Sequence, residues 1–297
     1  TEAVSRSPVY LVDASVYIFR AWFSMPDVFV TPAGEPTNAV YGFSGFLCSL
    51  LEQTAAEHVA VAFDESLTTS YRNGIYPEYK ANRDPAPVEL KRQFGWARQV
   101  AEAMGLRCFG DDRYEADDLI GTLAEYWREQ GHPIVVVTAD KDLAQLVGEG
   151  DYWWDFSRNQ KLNVGQLTEK FGVLPHQMAD FLALTGDSVD NIPGVPGVGP
   201  KSASALLNHF GTLDDLYRRL DEVEFLRIRG AKSLRKKLHE NRDAAELARK
   251  LTVIETAVES ALTAPDLLRG DTDVSEINRL FDELAFGGML RQRCLRA

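Results

Sequence analysis

The sequence predicts an α/β protein with a mostly parallel sheet flanked by helices, followed by a smaller helical region. Three short apolar runs, each ending in an acid, support this prediction: VYLVDAS (9–15), HVAVAFDES (58–66) and PIVVVTADKD (133–142). Each run is typical of a strand that is buried on both faces. Helical patterns at 39–57 and 116–131 alternate with them. Such alternation favours a parallel sheet with crossover helices.

From about residue 165 the strand pattern fades and short helical patterns follow one another. We therefore predict a first domain at 1–175 and a helical domain at 176–297, with a soft boundary inside 165–180. The Gly/Pro-rich stretch 191–211 is predicted to become helical at about Ser202. The tail, from about residue 252, is predicted to pack back onto the first domain.

Composition excludes several classes of protein. The 297 residues are 45% apolar and 26% charged, which is ordinary for a globular protein. No apolar run approaches the roughly 18 residues of a membrane span, and the first residues do not resemble a signal peptide. Cys48, Cys108 and Cys294 lie far apart, which argues against a disulfide framework or a zinc site. We expect a cytoplasmic protein with reduced thiols.

Acids follow the predicted strands and open one predicted helix. In an α/β sheet ligands bind beyond the carboxyl ends of the strands, and the acids of the three strand ends fall there. DDRYEADDLI (111–120) adds five more acids, of which Asp111 and Asp112 are interpreted as ordinary loop residues. The candidate set of nine is Asp13, Asp64, Glu115, Asp117, Asp118, Asp140, Asp142, Asp187 and Asp190.

Nine carboxylates in one cleft would repel one another and raise their pKa values. Divalent cations relieve that repulsion, and oxygen ligands without His or Cys indicate Mg²⁺ or Mn²⁺ rather than zinc. Two such ions about 4 Å apart would clamp a phosphodiester and activate the attacking water. The alternative is that each acid is only a helix cap or a turn residue.

Basic residues are concentrated in two segments, although the formal net charge is -12. The nine candidate acids account for nine of those twelve excess negative charges. Residues 225–238 carry six basic residues and no acid, and residues 70–98 interleave basic residues with Tyr, Phe and Trp. Interleaving of this kind suits single-stranded nucleic acid. The alternative is a solvated helix face whose aromatic residues point into the core.

The stretch GVPGVGPKSA (194–203) has the composition of a phosphate-binding turn. Glycines permit a tight turn, and a following helix presents free backbone N–H groups. Lys201 adds a positive charge at the same place. Such a site would grip duplex backbone without reading bases, whereas the alternative is a Pro/Gly turn between two helices.

Seven motifs together resemble the bacterial flap endonucleases, the 5′ nucleases that also form the N-terminal domain of DNA polymerase I. They are LVDAS, AFDES, YPEYKANR, YEADDLIG, TADKDLAQL, LTGDSVDNIPGVPGVGPKSA and FDELAFGGML, and they follow one another along nearly the whole chain. Because the chain ends without a polymerase, it resembles a free-standing member.

The resemblance implies a PIN-like core, a helical arch at about 66–98 and a helix–three-turn–helix motif at about 187–211 that binds duplex DNA. It also implies cleavage assisted by two Mg²⁺ ions, for which Mn²⁺ can substitute, and a K⁺ held by the duplex-binding motif. Asp13, Asp64, Glu115, Asp117 and Asp118 match the first metal cluster, and the other four acids match the second. Pro77, Pro85 and Pro87 interrupt any continuous helix in the arch.

Further residues match by the same resemblance. Lys80 and Arg83 match arch residues that polarise the scissile phosphate, and Asp13, Asp64, Glu115 and Asp140 are the acids assigned a catalytic role. The predicted DNA-binding residues are Arg20, Tyr79, Lys80, Arg83, Gly194, Val195, Gly197, Val198, Gly199, Lys201 and Ser202.

We therefore predict a structure-specific 5′ nuclease, acting as flap endonuclease and 5′-3′ exonuclease on branched or 5′-flapped DNA in replication and repair. A monomer is expected, in the cytoplasm at the nucleoid and without membrane contact. Two alternatives remain open: a branched-DNA-binding protein that does not cleave, and an aspartate-nucleophile phosphatase suggested by the Asp-x-Asp after 133–138.

Overall fold

A computed structural model describes residues 6–65, 69–263 and 266–297. Its sheet has six strands in the order β3-β2-β1-β4-β5-β6. All neighbouring pairs are parallel except the last, since β6 runs antiparallel to β5. The strands are β1 (Val9–Asp13), β2 (His58–Ala62), β3 (Arg107–Phe109), β4 (Ile134–Val137), β5 (Tyr152–Asp155) and β6 (Gln160–Leu162). The predicted α/β fold with a mostly parallel sheet is confirmed.

Strand β1 lies in the middle of the sheet, and its side chains alternate between two cores. Tyr10 and Val12 belong to the core on one face, while Val9 and Leu11 belong to the core on the other face. Every residue of β1 is buried. A strand covered on both faces requires a continuous apolar run, which explains the pattern in the sequence.

Helices cover both faces of the sheet. One face packs against α1, α2 and α4 together with two helices of the tail, α13 and α14. The other face packs against α5 and against Ile254, Val258, Ala261 and Leu267. The helices named here are α1 (Ala14–Ser24), α2 (Asn38–Thr54), α3 (Tyr71–Ile75), α4 (Val88–Ala103), α5 (Ala116–Glu129), α13 (Val274–Glu283) and α14 (Gly288–Arg296).

A third core lies among the helices that follow the sheet. The helices are α6 (Val164–Phe171), α7 (Met178–Thr185), α8 (Pro200–Phe210), α9 (Leu213–Arg218), α10 (Ala231–Glu240), α11 (Arg242–Thr252) and α12 (Glu259–Leu262). Three 3-10 helices accompany them at Lys141–Leu146, Pro175–Gln177 and Leu220–Phe225. Helix α8 begins at Pro200, two residues before the predicted start.

The sheet contains three strands that the sequence patterns did not predict. Strand β3 has only three residues, strand β5 reads YWWD, and strand β6 reads QKL at the edge of the sheet. Short or polar strands carry no alternating apolar signal. Backbone pairing with the neighbouring strands of the sheet therefore decides that these residues are strands.

The predicted arch is not one continuous helix. Residues 66–68 of the predicted segment lie outside the described residues. Helix α3 ends at Ile75, and turns and irregular chain join it to α4, which begins at Val88. Lys80 adopts a positive φ of 58° within these turns. The prolines limit helix formation here because they remove backbone donors and restrict the preceding residue.

Among the helices described, we find none with the length and apolar character that a membrane crossing would require.

Candidate active site

The carboxyl ends of the central strands bring the predicted acids together. Asp13 ends β1 and pairs in register with Ala62 of β2. Its Oδ2 accepts a hydrogen bond of 2.9 Å from the hydroxyl of Thr138, one residue beyond β4. Asp140 follows, and its Oδ1 accepts the backbone N–H of Asp142 at 2.9 Å. Equal register therefore places acids that are far apart in sequence at one edge of the sheet.

Two groups of three carboxylates form at this edge. Each residue of a group has an oxygen within 4.8 Å of an oxygen of the other two, and Asp142 belongs to both groups. The groups are Asp117, Asp140 and Asp142, and Asp142, Asp187 and Asp190. The first group joins Asp117, predicted for the first metal cluster, to two acids predicted for the second.

The Oδ1 atom of Asp142 is buried and has no hydrogen-bond partner among the described residues. A buried polar atom without a partner costs free energy and requires an explanation. A divalent cation coordinated by oxygen atoms provides one, since it would complete the contacts of all three carboxylates. The donor set therefore fits Mg²⁺ or Mn²⁺, and neither His nor Cys belongs to either group.

Burial and mutual repulsion raise the pKa values of most of these acids. The pKa of Asp13 is well above the ordinary value because of burial and then the charges of Asp64 and Asp140. Burial and then Asp140 likewise raise the pKa of Asp117 and of Asp142 well above the ordinary value. The pKa values of Asp140 and Asp190 are also raised, mainly by burial. A bound cation would reverse this effect by favouring the charged forms.

Glu115 has the opposite environment. Burial alone would raise its pKa, but the charges of Lys80 and Arg72 lower it below the ordinary value. The Nζ of Lys80 lies 2.5 Å from Oε1 of Glu115, and the hydroxyl of Tyr79 donates to Oε2 at 3.0 Å. Glu115 is therefore held as a carboxylate by the chain itself.

Asp118 lies on the Arg72 side of helix α5, away from the two carboxylate groups. Its oxygens accept hydrogen bonds of 2.7 and 2.8 Å from the Arg72 guanidinium. They also accept the backbone N–H groups of Glu115 and Glu255. The carboxylate of Asp118 is thus occupied by protein donors, and this geometry does not support the predicted metal contact.

Asp64 joins the start of helix α5 to the site. Its Oδ1 accepts the backbone N–H of Ala116 at 2.7 Å, and its Oδ2 accepts the hydroxyl of Ser15 at 3.0 Å. The first turn of an α-helix has free N–H groups that a carboxylate can satisfy. The Asp64 carboxylate therefore caps the start of α5, and its negative charge also raises the pKa of Asp13.

Arg72 is a buried structural residue, which the sequence analysis missed. We grouped it with the basic residues of 70–98 that could contact nucleic acid, but its side chain is only 3% exposed. Its guanidinium donates to Glu115, to Asp118 and to the backbone carbonyls of Leu251 and Val253. No signal in the local sequence distinguishes it from its exposed basic neighbours.

The aromatic residues of 70–98 are largely turned inward. Tyr79 and Trp96 are buried, and Tyr71, Tyr76 and Phe94 are partly buried. The alternative, that aromatics point into the core, is therefore the better description of this segment. Tyr79 holds Glu115 through its hydroxyl, so its predicted DNA contact would require the ring to move.

Residues 78–83 dock on the loop 188–191. The backbone N–H of Lys80 donates to the carbonyl of Asp190 at 2.8 Å, and the guanidinium of Arg83 pairs with the Asp190 carboxylate. The side-chain amide of Asn191 donates to the carbonyl of Glu78 at 2.8 Å. The two predicted basic residues are thereby fixed beside the second carboxylate group.

Arg20 is not free in this structure. Its guanidinium makes a bidentate ion pair with Asp155 at 2.7 and 2.9 Å. Its side chain is 29% exposed. A contact with phosphate would therefore require the Asp155 pair to open.

The predicted phosphate-binding turn lies between α7 and α8, where backbones approach closely. A Cβ on Gly194 would overlap the backbone of Gly186 and Leu184. Gly197 has a φ of +80°, and a Cβ there would fall 2.6 Å from the Nζ of Lys237. The turn and the basic run thus lie side by side.

Helix α10 contains four of the six basic residues of 225–238 and buries only its apolar side. Leu234 and Leu238 are buried, whereas Lys232, Lys236 and Lys237 are exposed. Lys201 is exposed in the first turn of α8, next to partly buried Ser202. Both the turn and the helix therefore present positive charge to solvent. The backbone of Val195 and Val198 forms part of the turn with their side chains buried, and Gly199 is the N-cap of α8.

Two family models match consecutive parts of the chain. The model for the 5′-3′ exonuclease N-terminal resolvase-like domain matches residues 8–172. The model for the 5′-3′ exonuclease C-terminal SAM fold matches residues 173–275.

Among curated proteins, the chain is similar to DNA polymerase I of Pseudomonas aeruginosa, with 42% identity over 288 residues. That match covers 97% of this chain and 31% of the polymerase. DNA polymerase I of Bacillus caldotenax is 35% identical over 97% of this chain and 32% of its own length. The chain thus spans about a third of the length of these relatives, and the expectation of a free-standing protein stays a prediction.

Solved structures share the fold. The bacteriophage T5 D15 flap endonuclease, in a complex with DNA and metal ions, matches with a TM-score of 0.67 and 19% identity over 97% of this chain and 98% of its own. The catalytic core of Rad2 with DNA substrate matches with a TM-score of 0.64 and 16% identity over 99% of this chain and 93% of its own. At such identities the likeness establishes the fold alone.

The sequence matches decide between the enzyme classes left open above. They match the chain to 5′-3′ exonuclease domains and give no support to an aspartate-nucleophile phosphatase. The predicted resemblance is confirmed: the chain belongs to the 5′-3′ exonuclease family.

Proposed function

We propose that this chain is a structure-specific 5′ nuclease that hydrolyses phosphodiesters of branched or 5′-flapped DNA with the help of two divalent cations. One observation carries the proposal: two carboxylate groups share Asp142, whose buried Oδ1 has no partner among the described residues. No protein donor among the described residues satisfies this oxygen, and a hard cation would do so readily. Membership of the exonuclease family supports the same conclusion.

Mg²⁺ is the proposed ion, and Mn²⁺ should replace it because both prefer oxygen ligands. One ion would be held by residues around Asp13, Asp64, Glu115 and Asp117, and the other by Asp140, Asp142, Asp187 and Asp190. Asp117 lies between these sets, since its oxygen is within 4.8 Å of oxygens of Asp140 and Asp142. Asp118 is left out because Arg72 occupies it. Bound divalent ions would polarise the scissile phosphate and lower the pKa of the attacking water.

The chain's own residues supply the remaining electrostatics. Lys80 and Arg83 place positive charge beside Glu115 and Asp190. The side chains of Lys80 and Arg83 would neutralise negative charge on a scissile phosphate once bound divalent ions compensate the charges of the two carboxylates. Tyr79 and Arg72 keep Glu115 ionised and oriented. No side-chain nucleophile is needed in this scheme.

The glycine turn 194–199, Lys201 and the exposed face of α10 form the proposed duplex-binding surface. They offer backbone N–H groups and positive charge without groups that read bases, so binding would be independent of sequence. A K⁺ held by backbone carbonyls of this turn is part of the proposal. Structural neighbours were solved with DNA, which supports DNA as the partner.

We further propose a catalytic domain at 1–175 and a DNA-binding domain at 176–297. The protein would act as a monomer at the nucleoid during replication and repair. Continuity of one core across α2, α4 and the tail helices supports the expectation that the tail packs back onto the catalytic domain.

A 5′-labelled flap substrate tests the proposal. We expect Mg²⁺-dependent release of the flap by the native chain and its loss in Asp140→Asn and Asp187→Asn. Asp112→Asn is a matched control, because Asp112 is an exposed loop acid outside both carboxylate groups. Product lengths would measure the balance between endonuclease and exonuclease action. Tight flap binding without cleavage in Mg²⁺ or Mn²⁺ would instead leave a branched-DNA-binding protein.

A further inference from the structure

Two of the three cysteines lie in contact inside the protein, remote in sequence from each other. The Sγ atoms of Cys48 in α2 and Cys294 in α14 are 3.1 Å apart. Both side chains are fully buried. A disulfide requires the sulfurs to approach to about 2.05 Å, so closure shortens the distance between the two sulfurs by about 1 Å.

An ion pair next to the cysteines fixes how the two helices face each other. Arg293, adjacent to Cys294, donates to the hydroxyl of Ser49 at 2.9 Å and pairs with Glu52 at 3.1 Å. Ser49 and Glu52 lie on α2 beside Cys48. The contact between the sulfurs is therefore held by an independent set of polar contacts.

Positive charge near the pair favours a thiolate on Cys48. The hydrogen bond from Cys294 and the guanidinium groups of Arg293 and Arg269 lower the pKa of Cys48, against the effect of burial. Arg269 is itself partly buried, and its Nε has no hydrogen-bond partner among the described residues. Thiolates are the reactive form of cysteine.

Cys108 has a different environment. Among the described residues, the hydrogen bond of its thiol is to the carbonyl of Leu106, at 3.8 Å. Burial raises its pKa to about 12, so at neutral pH it is a protonated, weakly reactive thiol. Cys108 is therefore an internal reference for the other two cysteines.

We propose that Cys48 and Cys294 are an oxidisable dithiol, a covalent modification site at which a small peroxide forms a disulfide between α2 and α14. The Cys48 thiolate attacks one peroxide oxygen and displaces hydroxide, which gains a proton to become water, and a sulfenic acid remains. The Cys294 thiol then displaces the sulfenic oxygen as a second water. Two thiols thus lose two electrons to the peroxide, and one S–S bond forms.

The bond would tie the last helix to the core by closing a loop over 246 positions of the chain. A disulfide across a long loop restricts the unfolded chain and stabilises the fold. Because both sulfurs are buried, the peroxide must enter when α14 separates locally from α2. Oxidation should therefore be slow and should not change the carboxylate site, which lies at the carboxyl ends of the strands.

Thiol counting on the whole chain tests this proposal. After hydrogen peroxide treatment, removal of the peroxide and unfolding, the three thiols should fall to one, and dithiothreitol should restore three. A non-reduced peptide map should link the peptides of Cys48 and Cys294. The Cys108→Ala variant has two thiols, and both should be lost on oxidation. The Cys48→Ala variant should form no disulfide within the chain.

Thermal melting adds a readout for the link between the helices. Oxidised Cys108→Ala should melt on the order of 5–10 °C above its reduced form, and flap cleavage should be unchanged. Three remaining thiols, a link that contains Cys108, a loss of thiols that dithiothreitol does not reverse, or an unchanged melting temperature would each overturn the proposal.

Discussion

Replacement of Arg72 by methionine would remove five hydrogen bonds that one buried guanidinium makes. Two go to the carboxylate of Asp118, one to that of Glu115, and two to the carbonyls of Leu251 and Val253. The guanidinium therefore joins helix α3, the start of α5 and the end of α11. Methionine keeps much of the volume and the apolar stem but none of these contacts.

The size of the stability loss depends on which partners Glu115 and Asp118 keep in the variant. Glu115 keeps Lys80 and Tyr79 as partners, whereas Asp118 keeps only two backbone N–H groups and remains buried. Breaking a buried ion pair by removing one partner costs about 3–5 kcal/mol. Because Glu115 stays compensated, we expect the lower end, about 3 kcal/mol of unfolding free energy. In a protein of this size that corresponds to a fall in Tm of roughly 6–12 °C.

Urea unfolding and thermal melting at neutral pH would measure this loss. Arg279→Met is the matched control, because Arg279 makes exposed ion pairs with Glu276 and Glu283 on α13, and its Tm should not change. A loss below about 1 kcal/mol in Arg72→Met, which is the range of exposed pairs, would refute the reasoning.

The same variant has a predicted dependence on pH. The pKa of Glu115 is lowered in the fold, so the stability that this lowering contributes is present above its unfolded pKa of about 4.3 and is lost as pH falls through the folded value. Part of that stability comes from Arg72. The difference in unfolding free energy between the native chain and Arg72→Met should therefore become smaller as pH falls below about 4. A constant deficit across this range would contradict the electrostatic account.

Three further results are expected. Metal-free protein should lose stability as pH rises from about 4 to 8, because the raised pKa values of Asp13, Asp117 and Asp142 mean that the fold binds more protons than the unfolded chain. Thermal melts in chelator should show a Tm that falls as pH rises, and this fall should be smaller in Mg²⁺. A Tm in chelator that does not depend on pH would contradict the prediction. Gly194→Ala would force a methyl group into the facing backbone, so urea melts should show a loss of about 1–3 kcal/mol, and an unchanged midpoint would argue against a tight turn. Lys237→Ala should weaken duplex binding equally across sequences and lower the slope of log affinity against log salt by about 1, measured by fluorescence anisotropy, whereas an unchanged slope would exclude contact with phosphate.

The fold class was predictable because the central strands are covered on both faces. Burial on both sides demands the continuous apolar runs at 9–12, 59–62 and 134–137, which are visible in the sequence. Strands β3, β5 and β6 were not predictable, since they are short or polar and exist through pairing with neighbouring strands.

The acids of the candidate site were also predictable as a set, because each follows a strand, opens a helix or lies in the loop before the glycine turn. Their individual partners were not. Asp117 and Asp118 are adjacent in sequence, yet a helix turns successive side chains by about 100°. One therefore meets Asp140 and Asp142, and the other meets Arg72.

The sequence by itself determined that acids collect at the carboxyl edge of a parallel sheet and that a glycine turn precedes a basic helix. Local patterns suffice for this, because strand ends and turns are set by neighbouring residues. Only the tertiary structure decided which side chains meet: Arg72 with Asp118, Lys80 with Glu115, Arg83 with Asp190, and Cys48 with Cys294. These pairs join segments far apart in the chain, and packing of the whole core is what brings them within a few ångströms.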